Sequence, residues 1–331
     1  MKRGVLIILM ALCLGCKRRD LSDTICQRSL ALIPVEIDWS QSSITPTQTD
    51  DGSGNYIHKV TLRFFPKDGS AAFDKYLEKD IYQGDIEVPI GEYSVVAFNE
   101  AIYDTYWHGV VSFVDTESYS LFAAELAEDE TGVASEALKL ASWSLDDYEV
   151  TQAMVNYTQG YASYSTLTTY ETQMLEAFTP IVPQPLTCYT SVSASITNLA
   201  SVYQVTVNAS GLAKRVFMAS GDNDHTSTTH YLELTSRTWN DDDETHGVIT
   251  SKLLTFSHNT SDESSYQLEF DVILVDGSRH TPDEPLIFDV SHQISRYASD
   301  DIELSAEFEV PLTEGGIGVD DWEDEEYIIL N

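Results

Sequence analysis

Nine residues near the end of the chain, Ile302 to Val310, alternate between apolar and polar side chains without a break. The apolar positions hold Ile, Leu, Ala, Phe and Val, whereas three glutamates and a serine lie between them. Because successive side chains of a β-strand point to opposite faces, this spacing predicts a strand of roughly 30 Å with one buried and one wet face. An apolar sheet face needs a second layer to cover it, which predicts a sandwich of antiparallel sheets.

The same alternation recurs along the chain and predicts short strands in both halves. In the first half the predicted strands cover residues 31–39, 59–65, 85–90 and 93–98. In the second half they cover residues 191–197, 203–207, 231–234, 267–275 and 286–290. Many short strands with turn-rich connections are typical of β-sandwiches. The predicted fold class is therefore all-β.

Two segments interrupt this pattern, and a proline cluster divides the chain. Helical spacing of apolar residues predicts a helix over 70–79, and a helical segment is expected within 123–140. Prolines at 180, 183 and 185 mark a stiff joint. We therefore predict an N-terminal sandwich with a partly irregular end over 31–180 and a C-terminal sandwich over 181–312. An acidic tail follows over 313–331.

The first sixteen residues have the composition of an export signal. Lys2 and Arg3 precede a ten-residue apolar run, which is too short to span a bilayer but fits a signal peptide. The run ends in Leu14-Gly15-Cys16, which looks like a bacterial lipobox with Cys16 as the lipidated mature N-terminus. We predict a signal peptide over 1–15 and a lipidated spacer over 16–30. The alternative is an ordinary secretory signal that happens to contain a cysteine.

The charge of the chain excludes one class of partner. The formal net charge is −36, and between Ile81 and Ala213 the single basic residue is Lys139. A field of that sign repels phosphate backbones, so we expect no nucleic-acid partner.

We find no constellation that indicates catalysis, a cofactor or a metal. His225 and His230 lie in a segment predicted to be a polar loop, and their spacing does not match a zinc site. The acidic stretch at 50–54 lacks the Asp-x-Asp-x-Asp-Gly spacing of a calcium loop, and the run at 241–244 is interpreted as solvated charge, with weak calcium binding as the alternative. The expectation is a protein that is not an enzyme, with no catalytic residue, no cofactor and no metal.

Four short features resemble the fimbrillin-like lipoproteins of Bacteroidales. They are the signal with its Cys-Lys-Arg-Arg-Asp start at 16–20, the Phe-Pro-Lys-Asp-Gly turn at 65–69, the Val-Pro-Ile-Gly-Glu-Tyr-Ser-Val-Val-Ala-Phe-Asn segment at 88–99, and the glycine-rich tail with Asp320-Asp321-Trp322. The resemblance implies two transthyretin-like β-sandwich domains of the fimbrillin type. It also implies an anchor or accessory subunit of a fimbria that contributes to adhesion. Such a subunit would be lipid-anchored in the outer membrane at the cell surface, with the membrane and other fimbrial subunits as partners.

The tail and the tryptophans bear on how such a protein would act. Tyr327, Ile328, Ile329 and Leu330 have strong strand propensity, and the resemblance implies that they are added as a strand to a sheet edge of this chain or of a partner. The alternative for this segment is a frayed, solvent-exposed terminus. The alternative function is a glycan-binding surface lipoprotein, which exposed Trp or Tyr residues lining one concave patch would favour. The five tryptophans, at 39, 107, 143, 239 and 322, are more often core residues than a sugar platform when isolated.

Overall fold

The computed structural model describes residues 29–46, 57, 59–100, 110–223, 226–240, 243–256, 265–280, 285–294 and 301–312. Within this part of the chain two short helices accompany the strands, α1 (Gln152–Thr158) and α2 (Thr169–Leu175). The predicted all-β class is confirmed. The strands are β1 (Leu30–Glu36), β2 (Lys59–Pro66), β3 (Phe73–Leu77), β4 (Gln83–Pro89), β5 (Gly91–Glu100), β6 (Val111–Val114), β7 (Ala123–Leu126), β8 (Val133–Ala134), β9 (Ala141–Val150), β10 (Gln184–Pro185), β11 (Thr187–Thr197), β12 (Val202–Ala213), β13 (Arg215–Phe217), β14 (Ser227–Leu234), β15 (Ser236–Asn240), β16 (Asp243–Phe256), β17 (Gln267–Leu274), β18 (Arg279–His280), β19 (Leu286–Asp289) and β20 (Ile302–Glu309).

The first core lies between a two-stranded sheet and a five-stranded sheet. The small sheet pairs β1 with β4, and the large one has the order β10-β9-β5-β2-β3. Phe64 of β2 lies at the centre of this core, with its ring 5.2 Å from Phe73, 5.5 Å from Tyr93 and 6.2 Å from Phe178. The segment that contains α1 and α2 adds Met154, Val155, Leu175 and Phe178 to this core.

The five-stranded sheet is buried on its second face as well. There β6, β7 and β13 form a three-stranded sheet, and the Phe98 ring of β5 lies 4.9 Å from Phe113 and 5.7 Å from Phe122. This second-face core, called here the joining core, also contains Leu254 and Phe256 from β16. Phe65 of β2 belongs to it, so β2 is buried on both faces, whereas its alternation predicts one wet face.

The third core lies between the two sheets of the second half. One has the order β15-β16-β11-β20, and the other has the order β18-β17-β12-β14-β8, with β19 also paired to β17. Val192, Ala194 and Ile196 of β11 are fully buried in this core, as their alternation predicts. The β11–β20 and β14–β8 pairs are parallel, so the sheets are not purely antiparallel.

Both predicted helices are wrong. Residues 73–77 form edge strand β3, which pairs with β2 and packs Phe73 and Leu77 against the first core. Residues 123–126 form β7 and residues 133–134 form β8. Ala123 and Ala124 have no exposed surface and lie between packed layers. Their small side chains serve close packing of a strand, although alanine is the best helix former in isolation.

The division of the chain at residues 180 and 181 stays a prediction. On one side β10 pairs with β9 of the first half, and β11 begins two residues later. Yet β7 pairs with β13 and β8 with β14, so part of the predicted N-terminal domain contributes strands to the second half.

The strand predicted at Ile302–Val310 allows a test of register. The Phe308 ring lies 5.4 Å from Phe270 and 6.0 Å from Phe288, whereas neighbouring Glu307 is exposed. We expect Phe308→Asp to lower the free energy of unfolding by about 3 kcal/mol or more, because it removes these contacts and places a charge against an apolar core. We expect Glu307→Gln to change it by less than about 0.5 kcal/mol. Denaturant midpoints measure both, and equal shifts would contradict the register.

Candidate functional site

The two predicted site segments lie outside the described residues. Neither the lipid-attachment residue Cys16 nor the segment Tyr327, Ile328, Ile329 and Leu330 is placed by the structure. The points where the two chain ends join the fold are placed. At the N-terminal side, the Ser29 carbonyl accepts a hydrogen bond of 3.1 Å from the Ile90 N–H. At the C-terminal side, the Val310 carbonyl accepts one of 2.8 Å from the Asn198 amide, and Leu312 beyond it is 76% exposed.

The outer edge of β1 is closed by the chain itself. The Leu32 N–H donates to Thr158 Oγ1 at 3.1 Å, and Gln159 Nε2 donates to the Leu30 carbonyl at 3.2 Å. Further along, the Glu36 N–H donates to the Phe178 carbonyl at 2.8 Å, and the Glu36 carbonyl accepts from the N–H of residue 181 at 2.7 Å. The residue between these two clamps is Pro34, which has no N–H to donate. A second strand therefore cannot pair with β1 without displacing these contacts.

The outer edge of β20 carries a side-chain plug. Gln293 Oε1 accepts from the Ser305 N–H at 2.7 Å, and Gln293 Nε2 donates to the Ser305 carbonyl at 2.8 Å. One amide side chain thus satisfies the two main-chain groups at the middle of the strand, as a neighbouring strand would. An added strand would have to displace Gln293.

The outer edge of β15 carries neither of these devices within the described residues. The strand is the last of its sheet, pairs with β16 on one side only and is mostly exposed. Its Arg237 guanidinium donates to the carbonyls of Val202 at 2.8 Å and Tyr203 at 2.7 Å, which ties the strand to β12. The outer edge of β15 is therefore a described edge that neither of these devices closes.

The histidine predicted to lie in a polar loop is a core residue. His230 is in β14, has no exposed surface, and neither ring nitrogen has a hydrogen-bond partner among the described residues. Burial lowers its pKa to about 4, although the Ala134 backbone opposes this shift. His225 lies outside the described residues. No group of three or more His, Cys, Asp or Glu that could hold a metal occurs in the described part of the chain.

Cys188 is equally unsuited to chemistry. The thiol is free and buried in β11, with Sγ 3.9 Å from Thr255 Oγ1. Burial raises the pKa of this thiol to about 11, so it stays protonated at neutral pH and is a poor nucleophile.

The buried histidine makes stability depend on pH. The pKa of His230 is about 4 in the folded chain and 6.5 as its ordinary value. As pH falls from 6.5 to 4 the unfolded state takes up the proton first, so folding loses about 3 kcal/mol in this window. We expect His230→Leu to abolish that loss. The measurement is the free energy of unfolding of both proteins between pH 7 and 4. The partly exposed His280 provides the control, because His280→Leu should leave the wild-type slope intact.

The arrangement of the cores and edges defines a class of protein, a multi-sheet β-sandwich protein whose chain ends leave from its surface. Its fold resembles that of a "putative adhesin" from Bacteroides ovatus, with a TM-score of 0.53 and 16% sequence identity over 85% of this chain and 94% of the other. A weaker resemblance, with a TM-score of 0.46 and 11% identity over 84% and 90%, is to the fimbrial anchor protein Mfa2 from Porphyromonas gingivalis.

Sequence comparison gives the family. The chain belongs to the DUF5119 family, described as a domain of unknown function, which matches residues 15–233. A curated relative, "Putative fimbrium anchoring subunit Fim4B" from Bacteroides ovatus, is 30% identical over 121 residues, which is 35% of this chain. The match spans about a third, 32%, of the length of that relative. Neither helix in the described part of the chain has the length and apolar character needed to cross a bilayer.

Proposed function

We propose that this protein is a membrane-anchored, fimbrillin-like lipoprotein that serves as an anchor or accessory subunit of a fimbria and contributes to adhesion. The observation that carries the proposal is the 30% identity to a protein named as a fimbrium anchoring subunit. The fold shared with a Bacteroides adhesin supports it. Its role is structural rather than enzymatic, and its partners are the membrane and other fimbrial subunits.

The point at which the N-terminal spacer joins the fold supports an anchoring role. The thirteen residues from Cys16 to Arg28 would reach at most roughly 45 Å and join the fold at Ser29. Ser29 is bonded to Ile90 in the β4–β5 turn, so the tether leaves the first sandwich at the end where this turn lies. That end would face the outer membrane, with the protein held at the cell surface by acyl chains on Cys16.

The closed edge of β1 supports a subunit that keeps its first strand. Arg28-Ser29 is the nearest arginine site before β1, and cleavage there would leave all seven residues of β1 paired with β4. The strand also contributes Ala31, Ile33 and Val35 to the first core, each with almost no exposed surface. This favours an anchor or accessory subunit over one that loses a strand to make room for another.

The lipid anchor is tested by Cys16→Ser. We expect the variant to leave the membrane fraction and to keep its unfolding midpoint, because the three described cores are built from residues between Ala31 and Val310. Fractionation by ultracentrifugation measures the first result, and thermal unfolding measures the second. Quantitative retention of the variant in membranes would refute lipidation at this residue, and Cys13→Ser is the matched control at the neighbouring cysteine.

The C-terminal segment Tyr327–Leu330 is proposed as a strand that pairs with a sheet edge of this chain or of a partner. Fourteen residues separate Leu312 from Tyr327, which permits a reach of roughly 50 Å, and the acidic run before it keeps the segment soluble. Main-chain hydrogen bonds would supply affinity, and alternate side-chain pockets would supply register.

Deletion of residues 319–331 tests this strand. Loss of co-purifying fimbrial subunits with an unchanged unfolding midpoint would support donation to a partner, whereas a lowered midpoint would support pairing within the chain. A deletion without either effect would reject the segment as a strand. Replacement of the seven residues 320–326 by a Gly-Ser linker of equal length is the control, because it keeps the apolar segment and its reach.

A further inference from the structure

The outward face of the sheet β18-β17-β12-β14-β8 contains a cleft of about 730 Å³ that the anchoring role does not use. Its floor consists of residues from β12, β14, β17 and β19, and its wall is the turn of residues 129–133 that leads into β8. The cleft is on the side of the sheet opposite His230 and the third core, since the residues of β14 alternate between buried and exposed.

Strand register places four side chains of the floor in one row. Asn208 of β12 is directly opposite Tyr231 of β14 on one side and Glu269 of β17 on the other, and Glu269 is opposite Ile287 of β19. Neighbouring strands lie about 4.8 Å apart, so the row spans roughly 14 Å from Tyr231 to Ile287. Both end residues are exposed, Tyr231 by 57% and Ile287 by 52%.

A second row runs beside the first and is wholly polar. Ser210 of β12 is opposite Thr229 of β14 and Gln267 of β17, and Thr229 is opposite Val133 in the wall. The wall is held in shape by Asp129, whose Oδ1 accepts hydrogen bonds from Thr131 Oγ1 at 2.6 Å and from the Val133 N–H at 3.0 Å. The cleft therefore has a preformed boundary rather than an open sheet surface.

Most polar side chains of the floor are not used by the fold, the exception being Ser210, whose Oγ donates to the Gln267 carbonyl at 3.4 Å. Within the described part of the chain, the side chains of Asn208, Thr229, Tyr231, Gln267 and Glu269 make no hydrogen bond or ion pair with one another or with other residues. These groups together offer amide donors, hydroxyls and carboxylate oxygens, with an aromatic face at one end.

The adjacent part of the same sheet face is different. There Glu233 Oε1 accepts from Gln204 Nε2 at 2.9 Å, and Asp271 pairs with Arg279 at 3.2 Å. Four polar side chains outside the cleft thus satisfy each other in pairs, whereas the five named above within it are left to a ligand or to water.

The chemistry of the cleft selects the class of ligand. The C–H face of a sugar ring packs on an exposed aromatic ring, while its hydroxyls bond to amide and carboxylate groups that converge on the same surface. Glu269 and Asp129 carry negative charge, and the chain has a net charge of −36, so sialylated or other anionic sugars are repelled. The row of floor side chains spans roughly 14 Å, which is longer than one sugar ring, so the cleft matches an oligosaccharide better than a single sugar.

We propose that this cleft binds a neutral oligosaccharide, with Tyr231 stacking on a sugar ring and Asn208 and Glu269 bonding its hydroxyls. The site goes beyond the anchoring role and does not depend on it. It would give the protein a direct means of adhesion to a glycan-coated surface.

The test is binding of the full mature chain, purified in detergent, to immobilised neutral hexose and N-acetylhexosamine oligosaccharides and to their sialylated counterparts. Calorimetry then measures affinity for the best neutral probe. We expect Tyr231→Ala and Asn208→Ala to weaken that affinity by about tenfold or more, which corresponds to roughly 1.4 kcal/mol. The matched control is Tyr203→Ala, because Tyr203 is 65% exposed on β12 but lies outside the cleft. The affinity of the Tyr203→Ala variant should stay within about twofold of the wild-type value, or roughly 0.4 kcal/mol.

Several outcomes would overturn the proposal. They are no binding to any neutral oligosaccharide, equal losses for the Tyr203 and Tyr231 variants, or tighter binding of the sialylated probes. A change of oligomeric state in Tyr231→Ala, measured by sedimentation, would instead assign the face to contact with a second copy. Circular dichroism and unfolding midpoints equal to those of the wild type make a loss of affinity attributable to the cleft, and a variant that fails this check is replaced by Tyr231→Ser.

Discussion

Burial of both faces of the five-stranded sheet is the constraint on which the rest of the structure depends. Strand β5 contains seven consecutive buried residues, from Tyr93 to Asn99, so neither face can be left to water. One face needs the small β1–β4 sheet and the helical segment, and the other needs β6, β7 and β13. Since the joining core also includes β16, covering the second face brings the two halves of the chain together.

Buried polar groups fix how this junction is aligned. The Asn99 side chain bonds the Lys139 carbonyl at 2.9 Å and the Ala141 N–H at 2.7 Å, which satisfies both ends of its amide. Ser142 Oγ donates to the Met218 carbonyl at 2.7 Å, a contact that joins β9 to the segment after β13. An apolar core alone tolerates sliding, whereas these bonds lose their geometry if the halves shift. Apolar contacts therefore stabilise the joining core, and the buried hydrogen bonds fix the alignment of the two halves within it.

The sequence predicts those features that depend on one strand alone. The strands that begin at Lys59, Thr187 and Ile302 follow from their own alternation, and the buried sides of the last two were predicted correctly. The segment at 123–140 was predicted wrongly because a strand buried on both faces loses its alternation, and alanine-rich runs then favour helix. His230 was misplaced for a different reason, since its polar neighbours indicate a loop, whereas it lies on the inward face of β14, where its burial depends on β8 and β12.

The candidate glycan cleft was beyond prediction for a further reason. The sequence directs attention to tryptophans, yet Trp39 is buried with its Nε1 bonded to the Ile81 carbonyl at 3.2 Å, and Trp143 packs on Phe178. The residues that line the cleft are separated by as many as 158 positions, from Asp129 in the wall to Ile287 in the floor, and those of the floor meet only through the register of four strands. The register between strands that are distant in sequence depends on the whole sheet, so a local sequence pattern does not predict it.

Anchoring through the spacer and binding at the cleft would place the joining core under tension. A pull on the spacer enters at Leu30, where β1 starts, and is resisted by the seven β1–β4 pairs and by the hydrogen bonds of β1 to Thr158 and Phe178. Directed along the strand, that pull strains all these hydrogen bonds at once, whereas a perpendicular pull would break them one after another. The load then passes from the first sandwich through the joining core to β16, and from there to the sheets of the second half. A protein that only tethered a lipid would not need this continuous path of buried contacts, but a subunit that holds a surface appendage or a glycan against flow would.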